Sequence, residues 1–276
     1  MSQSPRPVGW KYDLPSPNAH ATVEDAHKSV EPSPNHIDDC FLELPRASLK
    51  IRGYWLILGP LLMLGVSTIT AITIYISIIE PSHGSLELMV SAVLFSALTF
   101  WILTPFIRID IGLPRHEPIR FNRRRRKVYF YQYRFDRLHP LGRKNWGVKA
   151  VAYNWDDITA EAYRIYRPLG YGGLKEEVML SIRKAGTDDV IDRVFFTDDI
   201  QKGEQYWTIA RLFMQQGPEA LPDFIHPPRD WDDYPNPAPW ENALHRNPFD
   251  RLAPKVQWPA DMDLESRTAP SQGEHP

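Results

Sequence analysis

The densest chemistry in the chain is a run of five cations, Arg123, Arg124, Arg125, Arg126 and Lys127. Consecutive basic side chains attract phosphate, which makes the run a candidate site for anionic lipid headgroups. Each such residue near an anionic surface contributes on the order of 1 kcal/mol. The same run also fits a solvated turn that sets membrane topology. Tyr129, Tyr131 and Tyr133 follow closely, and basic–aromatic mixtures serve single-strand nucleic-acid binders, but the apolar hairpin upstream argues against a nucleic-acid partner. A second set, Trp231, Tyr234, Trp240 and Trp258, is spread through an acidic, Pro-rich tail. Trp and Tyr are enriched at interface hot spots, so these are candidate partner-binding residues.

Catalytic and metal chemistry find little support. The nine histidines include no i,i+4 pair that would put two ligands on one helix face, and the single cysteine, Cys40, excludes a cysteine-rich zinc site or an intrachain disulfide. Gly170–Gly173 lacks the lysine and the strand–helix context of a phosphate-binding loop. Asp156–Asp157 and Asp198–Asp199 are neighbours in sequence. They point apart on a strand or cap a helix. No GxSxG or HExxH motif occurs. The sequence predicts a non-enzymatic protein with neither cofactor nor metal.

The elements that position these residues emerge from hydropathy. Gly53–Ile79 and Leu88–Ile107 contain no charged residue, and each is long enough for a hydrocarbon core of roughly 30 Å. Soluble helices keep a polar face, so the two runs predict a membrane-spanning α-helical hairpin. The link Glu80–Glu87 has no Lys or Arg. Arg46, Lys50 and Arg52 precede the first span, and Arg108, Arg115, Arg120 and the arginine run follow the second. Cations are retained on the cytoplasmic side, which predicts a multi-pass protein with both termini and its soluble bulk in the cytoplasm. With no ionisable residue inside either span, the hairpin reads as an anchor and not as a transport path. The first apolar run is too long, and too far along the chain, for a secretory signal.

The remainder is polar: mean hydropathy is −0.39 despite the hairpin, and net charge is −2. That small value hides an asymmetry. Residues 108–150 carry thirteen Lys or Arg against three acids, whereas residues 218–276 carry eleven acids against five bases. Residues 1–43, rich in Pro and Ser, predict a disordered or extended arm in which Trp10 and Tyr12 are the candidates for docking. Residues 44–107 hold the hairpin. Residues 108–217 predict a cytoplasmic α+β domain: a strand over 107–113, a β-hairpin with strands 119–121 and 126–134, strands near 148–153, 160–166, 177–183 and 190–196, and a closing amphipathic helix. That helix is capped by Thr197 or Asp198 and stopped by Gly217–Pro218. Residues 218–276 predict a partly docked tail, disordered from Asp263 onward.

The two-helix hairpin, PIRFNRRRRKVYFYQYR (118–134), WDDI (155–158), the hairpin strands and the closing helix together resemble a family of bacterial inner-membrane proteins often encoded beside type VI secretion effectors. The resemblance covers roughly residues 40–225. It implies a membrane-anchored accessory or immunity protein with a cognate effector as partner, or else a scaffold that recruits a cytoplasmic protein or senses anionic lipid. The soluble part also resembles a bacterial pleckstrin-homology-like module, which implies antiparallel strands forming a partly open barrel closed by a C-terminal helix.

Overall fold

A computed structural model describes residues 6–26, 29–46, 52–167, 173–187, 189–229 and 247–270. Among these residues nine strands lie in two antiparallel sheets. The five-stranded sheet has the order β2 (His36–Ile37), β3 (Phe41–Leu44), β4 (Ile119–Asn122), β5 (Lys127–Arg134) and β6 (Gly147–Asn154). The four-stranded sheet has the order β1 (Trp10–Asp13), β7 (Ile158–Arg167), β8 (Gly173–Arg183) and β9 (Val190–Thr197). The sheets remain two separate layers and do not close into the barrel that the pleckstrin-like resemblance implies.

Both sheets and one helix, α3 (Ile200–Gln216), share a single core. Alternation along each strand selects the inward residues: Leu42 and Leu44, Ile119 and Phe121, and Val128 and Phe130 on one sheet, with Ala160, Ala162, Leu180 and Phe196 on the other. Trp155 is fully buried between Phe121 and Trp207, with ring centres 5.9 and 4.9 Å away. The N-cap of α3 is Asp199, one residue past the predicted caps; its side chain accepts from the Lys202 N–H. Gly217, at φ 99°, ends the helix, and Pro218 follows.

Composition predicts a disordered or extended arm; along its described part the arm packs at several points against the core and α3. Leu14, Ala21, Ala26 and Val30 enter the core. Prolines donate no N–H, and between β1 and β2 the described chain, residues 14–26 and 29–35, lies in no strand. Its carbonyls are met instead by side chains of α3. Trp207 donates to Pro15 O at 2.7 Å, Tyr206 to Pro32 O at 2.6 Å, Arg211 to His20 O at 3.0 Å, and Gln215 to Pro17 O and Ala19 O. Trp10 and Tyr12 form part of β1, where Tyr12 donates to Glu204 at 2.7 Å. The folded unit is therefore wider than residues 108–217.

α1 (Tyr54–Ile79) and α2 (Ser85–Gly112) form an antiparallel pair, each long and apolar enough to cross a membrane. The rest of the chain covers almost none of their apolar side chains. The predicted strand at 107–113 does not exist, because α2 runs on to Gly112. Its last turns are held by contacts with α1. The Asp110 carboxylate accepts from the backbone N–H groups of Gly53, Trp55 and Leu56 at 2.9–3.1 Å, satisfying donors that the first turn of α1 leaves open. Arg52 donates to the carbonyls of Asp110 and Pro114. Gly112 has no side chain because the Tyr133 hydroxyl occupies the space a Cβ would need. Above this joint, buried Arg46 ties β3 to both sheets through Glu117 O, Tyr131 O and Phe195 O. Burial lowers its pKa from the ordinary arginine value, and the Glu117 carboxylate 3.6 Å away offsets part of that.

Candidate interaction surface on the outer face of the five-stranded sheet

Residues that alternate with the core strip point away from it. On β3 these are Phe41 and Glu43, on β4 Arg120 and Asn122, and on β5 Lys127, Tyr129 and Tyr131. Register sets Arg120 directly between Glu43 and Tyr129. On the neighbouring β6, the partners of Tyr129 and Tyr131 are Ala152 and Ala150. Small residues beside tyrosines leave a shallow, basic and aromatic floor.

That floor is covered by residues 256–269 of the chain itself. Trp258 lies over Arg120, 4.5 Å from guanidinium carbon to ring centre, and edge-on to Tyr131 at 5.2 Å. The backbone N–H of Gln257 donates to the Tyr131 hydroxyl. A short helix, α4 (Ala260–Arg267), follows. Arg120 donates to Glu43 at 2.5 Å, Asp263 at 2.6 Å and Ser266 at 2.8 Å. Lys127 meets Glu265 at 2.7 Å. The carbonyls of Ser266 and Thr268 lie where α4 has run out of its own donors, and they accept from Asn122 at 3.0 Å each. Arg125 reaches the carbonyls of Thr268 and Ala269, a favourable place for a cation at a helix C-terminus. The predicted disorder from Asp263 onward is thus replaced, up to Pro270, by a docked helix and its exit.

The charges respond to this packing. The Lys127 hydrogen bond holds the Glu265 carboxyl below the usual carboxylate range. Burial, and then the nearby Glu265 charge, pushes the Tyr129 hydroxyl well above its ordinary value. Cys40 sits at the far edge of this face, where burial raises its thiol pKa.

The five cations singled out from sequence do not form one patch. Arg125 and Lys127 bind the C-terminal segment. Arg126 turns to Asp156 at 2.6 Å and Asn18 at 2.8 Å. Arg123 lies against Gly217, and Arg124 is exposed at the tip of the turn. Arg126 also takes the left-handed backbone at φ 54° that closes this four-residue turn. The turn stands at the opposite end of β5 from α2, about 20 Å along the strand from Tyr133. Of the candidate aromatic residues, Trp258 is on the floor just described; Trp231, Tyr234 and Trp240 lie outside the described residues. The central residues of the surface, Arg120, Asn122, Asp263 and Ser266, were not singled out from sequence. Their signal was the alternation of PIRFN, which puts Arg120 and Asn122 on one face, together with an acidic partner far along the chain.

A family profile matches residues 96–270, from the middle of α2 through β4 to β9 and α3 to three residues beyond α4. The chain belongs to DUF6708, a family of unknown function. The docked helix therefore lies inside the stretch by which this DUF6708 protein is assigned to its family. No curated protein and no solved structure matches the chain. Beside the docked segment a cleft of about 600 Å³ is bordered by His36, Asp38, Glu43, His116 and Arg267. Among the described residues no group of three His, Cys, Asp or Glu side chains is placed to hold a metal ion.

Proposed function

We propose that this is a non-enzymatic, membrane-anchored binding protein. Its cytoplasmic partner engages the outer face of the five-stranded sheet in exchange with the chain's own residues 256–269. The observation that carries the reading is the chemistry of the bound segment: an acidic helix, with one tryptophan anchor, seated on a basic and aromatic floor. A partner able to displace it would share that chemistry. Aromatic and arginine anchors of this kind dominate binding energies at interfaces. Support for the anchor comes from the uncovered apolar surface of α1 and α2 and from the cation-free link between them. The protein would lie in the bacterial inner membrane with both termini inside.

The resemblance to proteins encoded beside type VI effectors makes the specific role an accessory or immunity factor. The short link between α1 and α2 is too small to supply the roughly 800 Å² that a stable complex buries per partner. An effector would therefore be met from the cytoplasmic side or within the bilayer. A scaffold for another cytoplasmic protein is the second reading, and it uses the same face.

The test uses detergent-solubilised protein and a synthetic peptide of residues 256–270. A chain truncated after Lys255 should bind the peptide, and the full-length chain should bind it far more weakly. If the truncated chain folds yet ignores the peptide, the face is not an exchangeable dock. Rescue of cells from the neighbouring gene's product would establish immunity, and binding without rescue would favour the scaffold. Labelling of a cysteine placed at Ser82 from the outside, with positions on the soluble domain protected, checks the orientation.

A further inference from the structure

The connection between β5 and β6, residues 135–146, stands beside the end of α2. Arg108 of α2 donates to the carbonyls of Pro140 and Gly142, and its guanidinium lies 4.2 Å from the centre of the Trp146 ring. From the loop, Arg137 reaches to 5.7 Å from the Phe106 ring. Phe106 packs in turn on Trp55 of α1, with ring centres 4.8 Å apart. The loop therefore sits at the level of an aromatic collar at the end of both apolar helices, the level where Trp and Tyr mark a bilayer interface.

Internal hydrogen bonds fix the loop's shape. The Asp136 carboxylate accepts from the backbone N–H groups of Leu138 and His139 at 3.0 and 3.3 Å and from the Asn145 side chain at 3.0 Å, and it pairs with the His139 ring at 2.9 Å. The result is an apolar and cationic tip. Leu138 and Leu141 are each 76% exposed. Arg137, Lys144 and Lys149 flank a cleft of about 800 Å³ at the loop's base. Between residues 134 and 149 five Lys or Arg accompany a single acid, Asp136, and that acid is engaged by the loop itself.

Exposed leucines set among cations, beside an apolar helix end, combine the two features of an interfacial anchor: apolar groups for the acyl boundary and positive charge for the headgroups. We propose that residues 135–149 form a second contact with the membrane. Leu138 and Leu141 enter the acyl boundary while Arg137, Arg143, Lys144 and Lys149 bind the phosphates of anionic phospholipids. This rests on the reading of α1 and α2 as spanning helices. The loop's surface is continuous with that of α2, so an occupant of this position shares the bilayer interface. The arginine turn at residues 123–126 lies at the far end of β5 and does not reach the same surface. A second contact fixes the tilt of the domain, because two helices closely paired at one point leave it free to rock.

The test is fluorescence quenching on the full-length protein with Cys40 replaced by Ser. One label is placed at a time, at Ile72→Cys, Leu141→Cys or Arg124→Cys. The protein is reconstituted in phosphatidylcholine vesicles with and without phosphatidylglycerol, and the lipids carry quenchers either deep in the acyl chain or near the headgroup. Position 72 should be quenched by the deep probe. Position 141 should be quenched by the shallow probe, more strongly with phosphatidylglycerol, and position 124 by neither. Combining Arg137→Gln, Lys144→Gln and Lys149→Gln should remove most of the gain from phosphatidylglycerol. Quenching at 72 without quenching at 141, or equal quenching at 124 and 141, would overturn this inference and leave the spanning hairpin standing. No quenching at 72 would overturn the hairpin and this contact with it.

Discussion

β5 begins after a turn of four arginines and ends in a loop that carries Arg137, Arg143 and Lys144, so both of its ends are cation-rich. At the distal end the chain neutralises much of its own charge. Glu265 takes Lys127, Asp156 takes Arg126, and the carbonyls leaving α4 take Arg125. At the end nearest the helices the loop's one acid, Asp136, faces inward to the loop's N–H groups and to Asn145, and the cations border an open cleft. A count of basic residues ranks the distal end first. More of the free positive field belongs to the proximal end, because a carboxylate of the same chain cancels much of the field of the cation it pairs with.

The comparison breaks most visibly at Arg120. It is 3% exposed and links Glu43, Asp263, Ser266 and Trp258 in one cluster. Arg120→Ala leaves Glu43 buried with its main counter-charge gone, which costs about 3–5 kcal/mol by the measure of broken buried pairs. Denaturant unfolding should show that loss, and hydrogen exchange should show protection disappearing over residues 260–267 while the 135–146 loop is unchanged. Equal loss at both ends would mean that the two are not independent.

A smaller effect, confined to the proximal end, is expected at Asp110. Asp110→Ala leaves three backbone N–H groups at the start of α1 without their acceptor, at about 1–3 kcal/mol for unsatisfied buried donors. Faster exchange at residues 53–57, with α4 still protected, would sharpen the contrast. Faster exchange at α4 as well would blur it.

The smallest effect is one of pH. Glu265 is held below its unfolded value of about 4.3 by Lys127. A depressed carboxylate contributes its stabilisation fully above the unfolded pKa and loses it as pH falls through the folded one. Docking of α4 should therefore weaken in acid, and Glu265→Gln should flatten that dependence. Lys127 and Glu265 are 40% and 34% exposed, which limits the change to about 1 kcal/mol or less. At the other end, the Asn145 hydrogen bond and then that of His139 bring Asp136 down to about 2, so the loop loses that contribution as pH falls from the unfolded value of about 3.9 through about 2. Hydrogen exchange over residues 260–267 and 136–146, measured against pH and corrected for intrinsic rates, follows the two ends separately.

Much of this architecture lies in local pattern. Charge-free runs mark α1 and α2, alternation marks β4 and β5 to within a residue, and the spacing of Tyr206, Ile209, Ala210 and Phe213 marks α3. Local pattern misread residues 107–113, where a few alternating residues look alike at the end of a helix or in a strand. Asp110 decides for the helix by capping α1, 54–57 positions back along the chain.

The sequence by itself determined the two long apolar helices, the order of strands ending in a helix, and the lack of any recognisable catalytic motif, because periodicity, hydropathy and short motifs are properties of neighbouring residues. Only the tertiary structure decided that the Pro-rich arm is packed, that the acidic tail returns to β4 and β5, and which cations remain free. Each of those outcomes depends on a donor finding an acceptor far away in sequence: Trp207 meets Pro15 across 192 positions, and Arg120 meets Ser266 across 146. Composition makes the arm and the tail look too polar to order themselves, and alone they would be. Their described parts are ordered because the folded core presents hydrogen-bond donors that their carbonyls and carboxylates can reach only once the sheets and α3 have formed.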